Sequence, residues 1–236
     1  TLRAKLDLFR AYGVATAYVA RFDARLAALS AGDFVRDVLE HGLRAQWVLV
    51  GEDFRFGRAR QGDLVFLRTA ATRFSVEAMR TVDVDGERAS STAVRTALAA
   101  GDLAHAASLL GRNYAITGRV AHGDKLGRTL GYPTANVSLR RRPALTGIFA
   151  VRVHGIGAAP RRGVASVGVR PTVKVGAKPL LEVFMLDFDE SIYGRRITVE
   201  FLHKLRDEER FPDVATLSRA IERDVVDARN YFAARG

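Results

Sequence analysis

The 236-residue sequence predicts two architectures in one chain: an α/β part built on an open sheet, then an antiparallel β part closed by a helix. Three observations carry this reading. The first half alternates helical and strand patterns, as open α/β sheets do. The second half runs one strand-like segment after another between turn signals, the spacing of an antiparallel barrel or sandwich. The last segment is one amphipathic helix, with Leu217, Ile221, Val225, Ala228 and Phe232 on a single face that covers the β part.

Taken in chain order, Phe34, Val35, Val38, Leu39 and Leu43 share a helical face, and Asp33 stands before them as an N-cap. Trp47-Val48-Leu49-Val50 is a continuous apolar run ending at Gly51, the pattern of a buried parallel strand with a loop at its carboxyl end. Ser91 is placed to cap a helix carrying Val94, Leu98, Leu103, Ala106 and Leu109, which Gly101-Asp102 breaks in two. The character changes near Gly111-Arg112, which divides the chain into domains 1–111 and 112–236. Strands are then expected at Ala115–Ala121, Gly147–Val153, Gly163–Val169, Pro179–Phe188 and Arg196–Leu202.

Composition narrows the function classes. Hydrophobic residues make up 48%, enough for a real core. There is no cysteine, which excludes a disulfide framework and a thiolate metal site. No apolar run approaches the roughly 18 residues of a membrane span, and no signal peptide is visible. The expectation is a cytoplasmic protein without a membrane partner. The net charge of +11 is uneven: residues 1–111 hold 15 Lys and Arg against 13 Asp and Glu, and residues 112–236 hold 22 against 13. A basic second half concentrates anionic ligands, nucleotide or nucleic acid. Arg140-Arg141-Arg142 is the only charge run, and no aromatic residues interleave with it for base stacking, so it reads as an exposed loop.

The densest motif is Gly118 to Asn136, Gly-Arg-Val-Ala-His-Gly-Asp-Lys-Leu-Gly-Arg-Thr-Leu-Gly-Tyr-Pro-Thr-Ala-Asn. Its glycines, Gly118, Gly123, Gly127 and Gly131, allow positive φ and close approach to a ligand. Successive free N–H groups in such turns form anion-binding concavities, and Lys125 and Arg128 add charge. Thr134 and Asn136 offer a hydroxyl and an amide oxygen, hard donors suited to Mg²⁺. The segment therefore reads as a nucleotide-phosphate loop ending in a metal seat. A pair of tight turns in a β-rich domain reads equally well from composition alone.

Gly118–Asn136, with Gly147-Ile148-Phe149-Ala150, Ala165–Thr172, Leu181-Glu182-Val183 and Leu205–Phe211, resembles the riboflavin kinase module across 112–236. Val50–Gly57, Ser90-Ser91-Thr92-Ala93-Val94-Arg95 and the linking helix Ala97–Gly111 resemble the adenylyltransferase module of the bacterial bifunctional riboflavin kinase/FAD synthetase family. The resemblance implies a partial Rossmann-like nucleotidyltransferase domain followed by an antiparallel Greek-key barrel with a C-terminal helix. It implies phosphorylation of riboflavin to FMN and, in the complete protein, adenylylation of FMN to FAD, with ATP and Mg²⁺. Riboflavin, FMN and ATP are the expected partners, and no nucleic acid.

The resemblance also assigns roles. Glu182 is the general base, and alternation places it on the same strand face as Phe184 and Leu186. Gly123, Lys125, Gly127, Arg128 and Gly131 line the ATP phosphates, and Thr134 and Asn136 hold Mg²⁺-ATP. Ser91, Thr92 and Arg95 form the second ATP site, at a helix N-terminus suited to phosphate. Asp53, Phe54 and Arg55 lie by the flavin of the adenylyltransferase, and Arg206 and Phe211 by the flavin of the kinase. The segment Lys174–Lys178 is expected to be a mobile hairpin tip. One departure stands out. The family's His-x-Gly-His nucleotide motif has no counterpart, because the five histidines are His41, His105, His122, His154 and His203. The first third of the adenylyltransferase module is expected to be missing from these residues, which puts their adenylylation in question but not the kinase reaction. Kinase activity alone, a basic nucleic-acid-binding protein and a non-catalytic flavin-binding module are the competing readings.

Overall fold

A closed barrel of six antiparallel strands dominates the computed structural model, which describes residues 1–123, 127, 130–139, 141–169 and 179–235. Contacts divide the chain into two compact units, Thr1–Asp83 and Val84–Gly236. The two helices that precede the barrel thus belong to the second unit.

In the first unit, α1 (Leu2–Ala11) is capped by the Thr1 hydroxyl and buries none of its residues. α2 spans Ala24–Ala28, and α3 (Ala31–Asp33) runs on into wider π-helical turns over Phe34–Gly42. The expected cap is corrected here. Ser30, not Asp33, accepts from a free N–H, that of Asp33 itself at 3.1 Å, and its hydroxyl donates back to the Asp33 carboxylate at 2.6 Å. β1 (Trp47–Gly51) pairs in parallel with β2 (Ser75–Met79), and α4 (Leu64–Ala70) connects them. Val48 and Val50 pack against Phe56, Leu67 and Phe74. Trp47 and Leu49 point the other way and are 53% and 44% exposed, so β1 is not buried on both faces. The described sheet has two strands and one covered face, and strand alternation leaves the second face open.

Where the chain passes from the first unit to the second, β3 (Asp83–Val84) and β4 (Glu87–Arg88) form a tight hairpin. Its turn residues Asp85 and Gly86 have φ of 52° and 83°, the left-handed pair that suits an Asp-Gly hairpin. Ser90, one residue before the expected cap Ser91, caps α5 (Ser91–Ala100) through the N–H of Ala93. The break at Gly101-Asp102 is present: Gly101 is left-handed at φ 80°, and the Asp102 carboxylate caps α6 (Leu103–Leu110). Ala97, Leu98, Leu103 and Ala106 from this helix pair join the barrel core.

The barrel strands are β5 (Ala115–Ala121), β6 (Thr134–Ser138), β7 (Gly147–His154), β8 (Arg161–Val169), β9 (Pro179–Met185) and β10 (Arg196–Arg206), closing in the order β10-β5-β6-β9-β8-β7. β7, β8 and β9 form a meander, and β6 returns beside β9, which is a Greek-key connection. β6 is an addition to the expected strands: Thr134-Ala135-Asn136, which follows Pro133 and carries turn-type residues, pairs as a strand. Inward residues such as Val137, Phe149, Val167, Leu181, Val183 and Phe201 are essentially inaccessible. The outward face carries a second apolar layer, in which Ile148, Ala150, Val164 and Leu186 meet Ala228 and Phe232 of α7 (Val214–Ala233). The final helix thus covers the barrel, as its apolar stripe requires.

Two measurements check this account. Phe149 is fully buried and meets Phe201 edge-to-face at 5.3 Å. Phe149→Ala is expected to lower unfolding free energy by about 3–5 kcal/mol in urea titration. Glu200 is half-buried. Burial opposes its ionisation, but hydrogen bonds from Asn113 and His154 outweigh this and hold its carboxyl below the ordinary 4.5. Its contribution is therefore present above pH 4.5 and lost as pH falls through the lower folded value. Glu200→Gln should flatten the acid limb of a stability-versus-pH curve in that window, and an unchanged limb would remove Glu200 from it.

Candidate functional site

Strand pairing builds the core of the site before any side-chain argument. Asn136 of β6 pairs with Glu182 of β9, and Glu182 pairs with Ser166 of β8. Neighbours in such a row have Cβ atoms about 5 Å apart. The row continues through Ile148 of β7 to Arg206 of β10. Val137, Leu181 and Val167, one residue along, fill the barrel interior. Asn136, Glu182 and Ser166 therefore share the outward face, with Glu182 on the side of Phe184 and Leu186 as alternation predicts. A polar row on the outside of a barrel is tolerable because it stays out of the apolar core.

Asn136 is the buried member, 5% exposed. Its Nδ2 donates to the Thr134 carbonyl at 3.3 Å, while its Oδ1 has no hydrogen-bond partner among the described residues. A buried amide oxygen without a partner is costly and points to a ligand that completes it. Thr134, two residues earlier on the same strand face, adds a hydroxyl. An amide oxygen and a hydroxyl are donors suited to a hard divalent cation. Among the described residues no cluster of three His, Asp or Glu side chains competes for that role.

One glycine of the expected phosphate loop owes its identity to this amide, and a second to a neighbouring carbonyl. A Cβ at Gly123 would overlap the Asn136 carboxamide, and one at Gly127 would overlap the Tyr132 carbonyl. The Gly127 carbonyl accepts from the N–H groups of Leu130 and Tyr132 at 3.2 and 2.8 Å, closing a turn in which Gly131 sits at φ 84°. The Tyr132 ring stands edge-on to Phe184 at 5.3 Å. Gly123 and Gly127 thus both lie against the start of β6. Lys125 and Arg128 lie outside the described residues, as do Arg140 and the segment 170–178 that includes the expected hairpin tip.

The far end of the row is held by an ion pair. Arg206 donates from Nε and Nη2 to the two carboxylate oxygens of Asp224, each at 2.7 Å, and from Nη1 to the Asp207 carbonyl at 3.0 Å. Its guanidinium lies 5.6 Å from the centre of the Phe211 ring. Burial works against the Arg206 charge, but Asp224 more than offsets it and holds the guanidinium in its charged form. The expected flavin-side residues Arg206 and Phe211 are therefore in contact with each other. Sequence reasoning missed Asp224; its spacing from Ala220 and Ala228 put a carboxylate on the covered face of α7, and that misplaced charge was the available signal.

The second expected nucleotide site also has a cavity. A pocket of about 450 Å³ is lined by Ser90, Ser91 and Arg95 of the α5 start, by Tyr114, and by Arg142 to Ala144. Arg95 donates to the Thr92 hydroxyl at 3.4 Å. The Arg-rich loop, read as simply exposed, contributes Arg142 to this pocket. Asp53, Phe54 and Arg55 belong to the first unit, at the carboxyl end of β1. There the Phe54 N–H turns back to the Gly51 carbonyl at 3.0 Å, and its ring stacks on Phe56 at 5.3 Å.

Asp224→Ala would leave Arg206 charged and partly buried. The expected loss is about 2 kcal/mol, below the ~3–5 kcal/mol of a fully buried pair, because the Arg206 side chain keeps 22% exposure. Chemical denaturation measures it, and a loss under about 0.5 kcal/mol would show the pair to be incidental.

With this geometry in hand, comparison with known proteins is direct. The riboflavin kinase family model matches residues 110–232, and the FAD synthetase model matches residues 1–93. The bifunctional riboflavin kinase/FMN adenylyltransferase of Escherichia coli K12 is 47% identical over 234 residues, covering 98% of this chain and 74% of the relative. Its counterpart in Pseudomonas fluorescens is 52% identical over 211 residues, 88% of this chain and 68% of the relative. That of Haemophilus influenzae is 43% identical over 98% of this chain and 76% of the relative. A crystal structure described as a macrolide-efflux protein from Streptococcus pneumoniae superposes with a TM-score of 0.79 at 29% identity, covering 98% of this chain and 75% of that one. Among the described residues no helix is long and apolar enough to cross a membrane. Both halves of the chain match, in order, the two modules of one kind of enzyme: the chain belongs to the bifunctional riboflavin kinase/FMN adenylyltransferase family.

Proposed function

We propose that the barrel unit transfers the γ-phosphoryl group of ATP to the ribityl 5′-hydroxyl of riboflavin, giving FMN and ADP, in a cytoplasmic setting. The observation that carries this reading is the paired row Asn136–Glu182–Ser166, with the orphaned Asn136 oxygen at one end. Phosphoryl transfer depends mostly on positioning and charge neutralisation. The turn through Gly123, Gly127 and Gly131 receives the phosphates on backbone N–H groups, and Lys125 and Arg128 add positive charge to it. Asn136 Oδ1 and the Thr134 hydroxyl are the donors for Mg²⁺, which neutralises phosphate charge when bound. Glu182, on the strand next to Asn136, takes the proton of the acceptor hydroxyl as the new O–P bond forms and the bond to the ADP oxygen breaks. Arg206 and Phe211 support the flavin side.

The same proposal gives the α5 pocket to adenylylation of FMN to FAD with release of pyrophosphate. Ser91 and Thr92 present a helix N-terminus to phosphate, and Arg95 stands one turn in. Asp53, Phe54 and Arg55, in the first unit, are the flavin-side residues of the same reaction. The sequence lacks a His-x-Gly-His motif, and this favours a second reading in which these residues phosphorylate riboflavin without adenylylating FMN.

Incubation with riboflavin and Mg-ATP, followed by chromatographic separation of the flavins, tests both. FMN alone supports the second reading, FMN with FAD the first, and neither product overturns the kinase proposal. Glu182→Gln is expected to slow FMN formation about 10²–10⁴-fold with an unchanged unfolding midpoint; full activity in that variant would remove Glu182 from the role of base.

A further inference from the structure

The segment 207–211 leaves β10 and crosses the outward face of the barrel as a strap, and its seating shows a residue that the kinase reading does not use. The strap is held at both ends by Arg206, which binds the Asp207 carbonyl at one end and lies against the Phe211 ring at the other. Lys204 adds an ion pair to Asp207 at 2.6 Å. Two glycines make room beneath. A Cβ at Gly147, the first residue of β7, would overlap the Arg206 carbonyl, and a Cβ at Gly168 of β8 would fall on the Glu208 carboxylate. A carboxylate resting on bare backbone is an unusual contact, since any other residue at 168 would displace it.

The place where Glu208 rests matters more than the contact. Gly168 stands two residues beyond Ser166 on the same face of β8, about 7 Å along the strand. Ser166 is the direct partner of Glu182, and Gly168 is the partner of Leu180. Glu208 therefore occupies the row next to Glu182 and shares its face. The two carboxylates feel each other. Burial pushes the Glu208 carboxyl up, and Glu182 pushes it the same way, while Arg142 and Arg206 pull it down. Nothing in packing explains why an acidic side chain should enter a seat that disfavours its charge, beside another carboxylate.

We propose that Glu208 is a positioning residue of the kinase reaction: seated on Gly168 in the row beside Glu182, it fixes the 207–211 strap against the acceptor side of the outward face, where flavin binds. The inference rests on the kinase reading of that face. Glu208 takes no proton and contacts no phosphate; it sets where the strap, with Phe211, stands relative to the flavin.

The test uses the full chain and three variants, Glu208→Ala, Glu208→Gln and Gly168→Ala. Glu208→Ala is expected to raise the KM for riboflavin about tenfold, with the KM for ATP and the unfolding midpoint unchanged. Glu208→Gln keeps the reach to Gly168 and should return the riboflavin KM to within about threefold of the parent. Gly168→Ala fills the seat and should reproduce Glu208→Ala, and the double variant should be no worse than either alone, since both remove one contact. Riboflavin binding, followed by flavin fluorescence without ATP, gives the same comparison independently of turnover. If the parent binds riboflavin but makes no FMN, the kinase reading fails, and the fluorescence series still judges Glu208. A riboflavin affinity within twofold of the parent in Glu208→Ala overturns the proposal, as does a double variant whose losses multiply. If Gly168→Ala fails to fold, Glu208→Ala against Glu208→Gln decides alone.

Discussion

The register of β9 between β6 and β8 is the constraint on which the rest of the second unit depends. Leu181 and Val183 must face the interior, where they meet Val137, Ala135, Val167 and Ala165. That burial sends Glu182 outward between Asn136 and Ser166. A slip of one residue would bury the carboxylate in an apolar core and expose two large side chains, a double penalty. Hydrophobic packing inside the barrel thus sets the geometry of the polar row outside it. The polar row is positioned by residues that never touch it.

Close backbone approach is the second theme. Gly123 and Gly127 let the chain before β6 lie against Asn136 and the Tyr132 carbonyl, and Gly147 and Gly168 do the same for the strap after β10. In each place the glycine is needed for the space its missing Cβ leaves; only Gly147, at φ 127°, also needs an unusual backbone. The polar row thus has closely approached glycines at both ends, Gly123 and Gly127 beside Asn136 and Gly147 and Gly168 beside the strap. The Arg206–Asp224 pair then ties the strap to α7, the helix that covers the neighbouring apolar layer.

The helices before the barrel tie the α5 pocket to the same core. α5 and α6 place Leu98 and Ala106 among the barrel's buried residues. The start of α5, with its serines and Arg95, is therefore carried by the second unit, although its motif resembles the adenylyltransferase module. Arg142, from the loop between β6 and β7, lines the pocket and acts electrostatically on Glu208 as well.

The sequence by itself determined the class of both parts, five of the six barrel strands, the helix break at Gly101-Asp102 and the family. These follow from period-2 and period-3.6 burial patterns and from local turn chemistry, which a linear chain carries openly. Glu182 was legible because a carboxylate in an apolar strand breaks the pattern. β6 was not legible, since its first residues, Thr134 to Asn136, look like a turn until β9 pairs with them. The cap at Ser30 was misassigned because Ser30 and Asp33 both suit a helix start, and only the backbone path chooses between them. The open face of β1 was misread because an apolar run does not say how many layers will cover it. Asp224 with Arg206, Glu208 with Gly168, and Arg142 in the α5 pocket were decided by tertiary structure alone. Each joins residues distant in sequence, and no local propensity encodes which charge a folded surface will bring beside another.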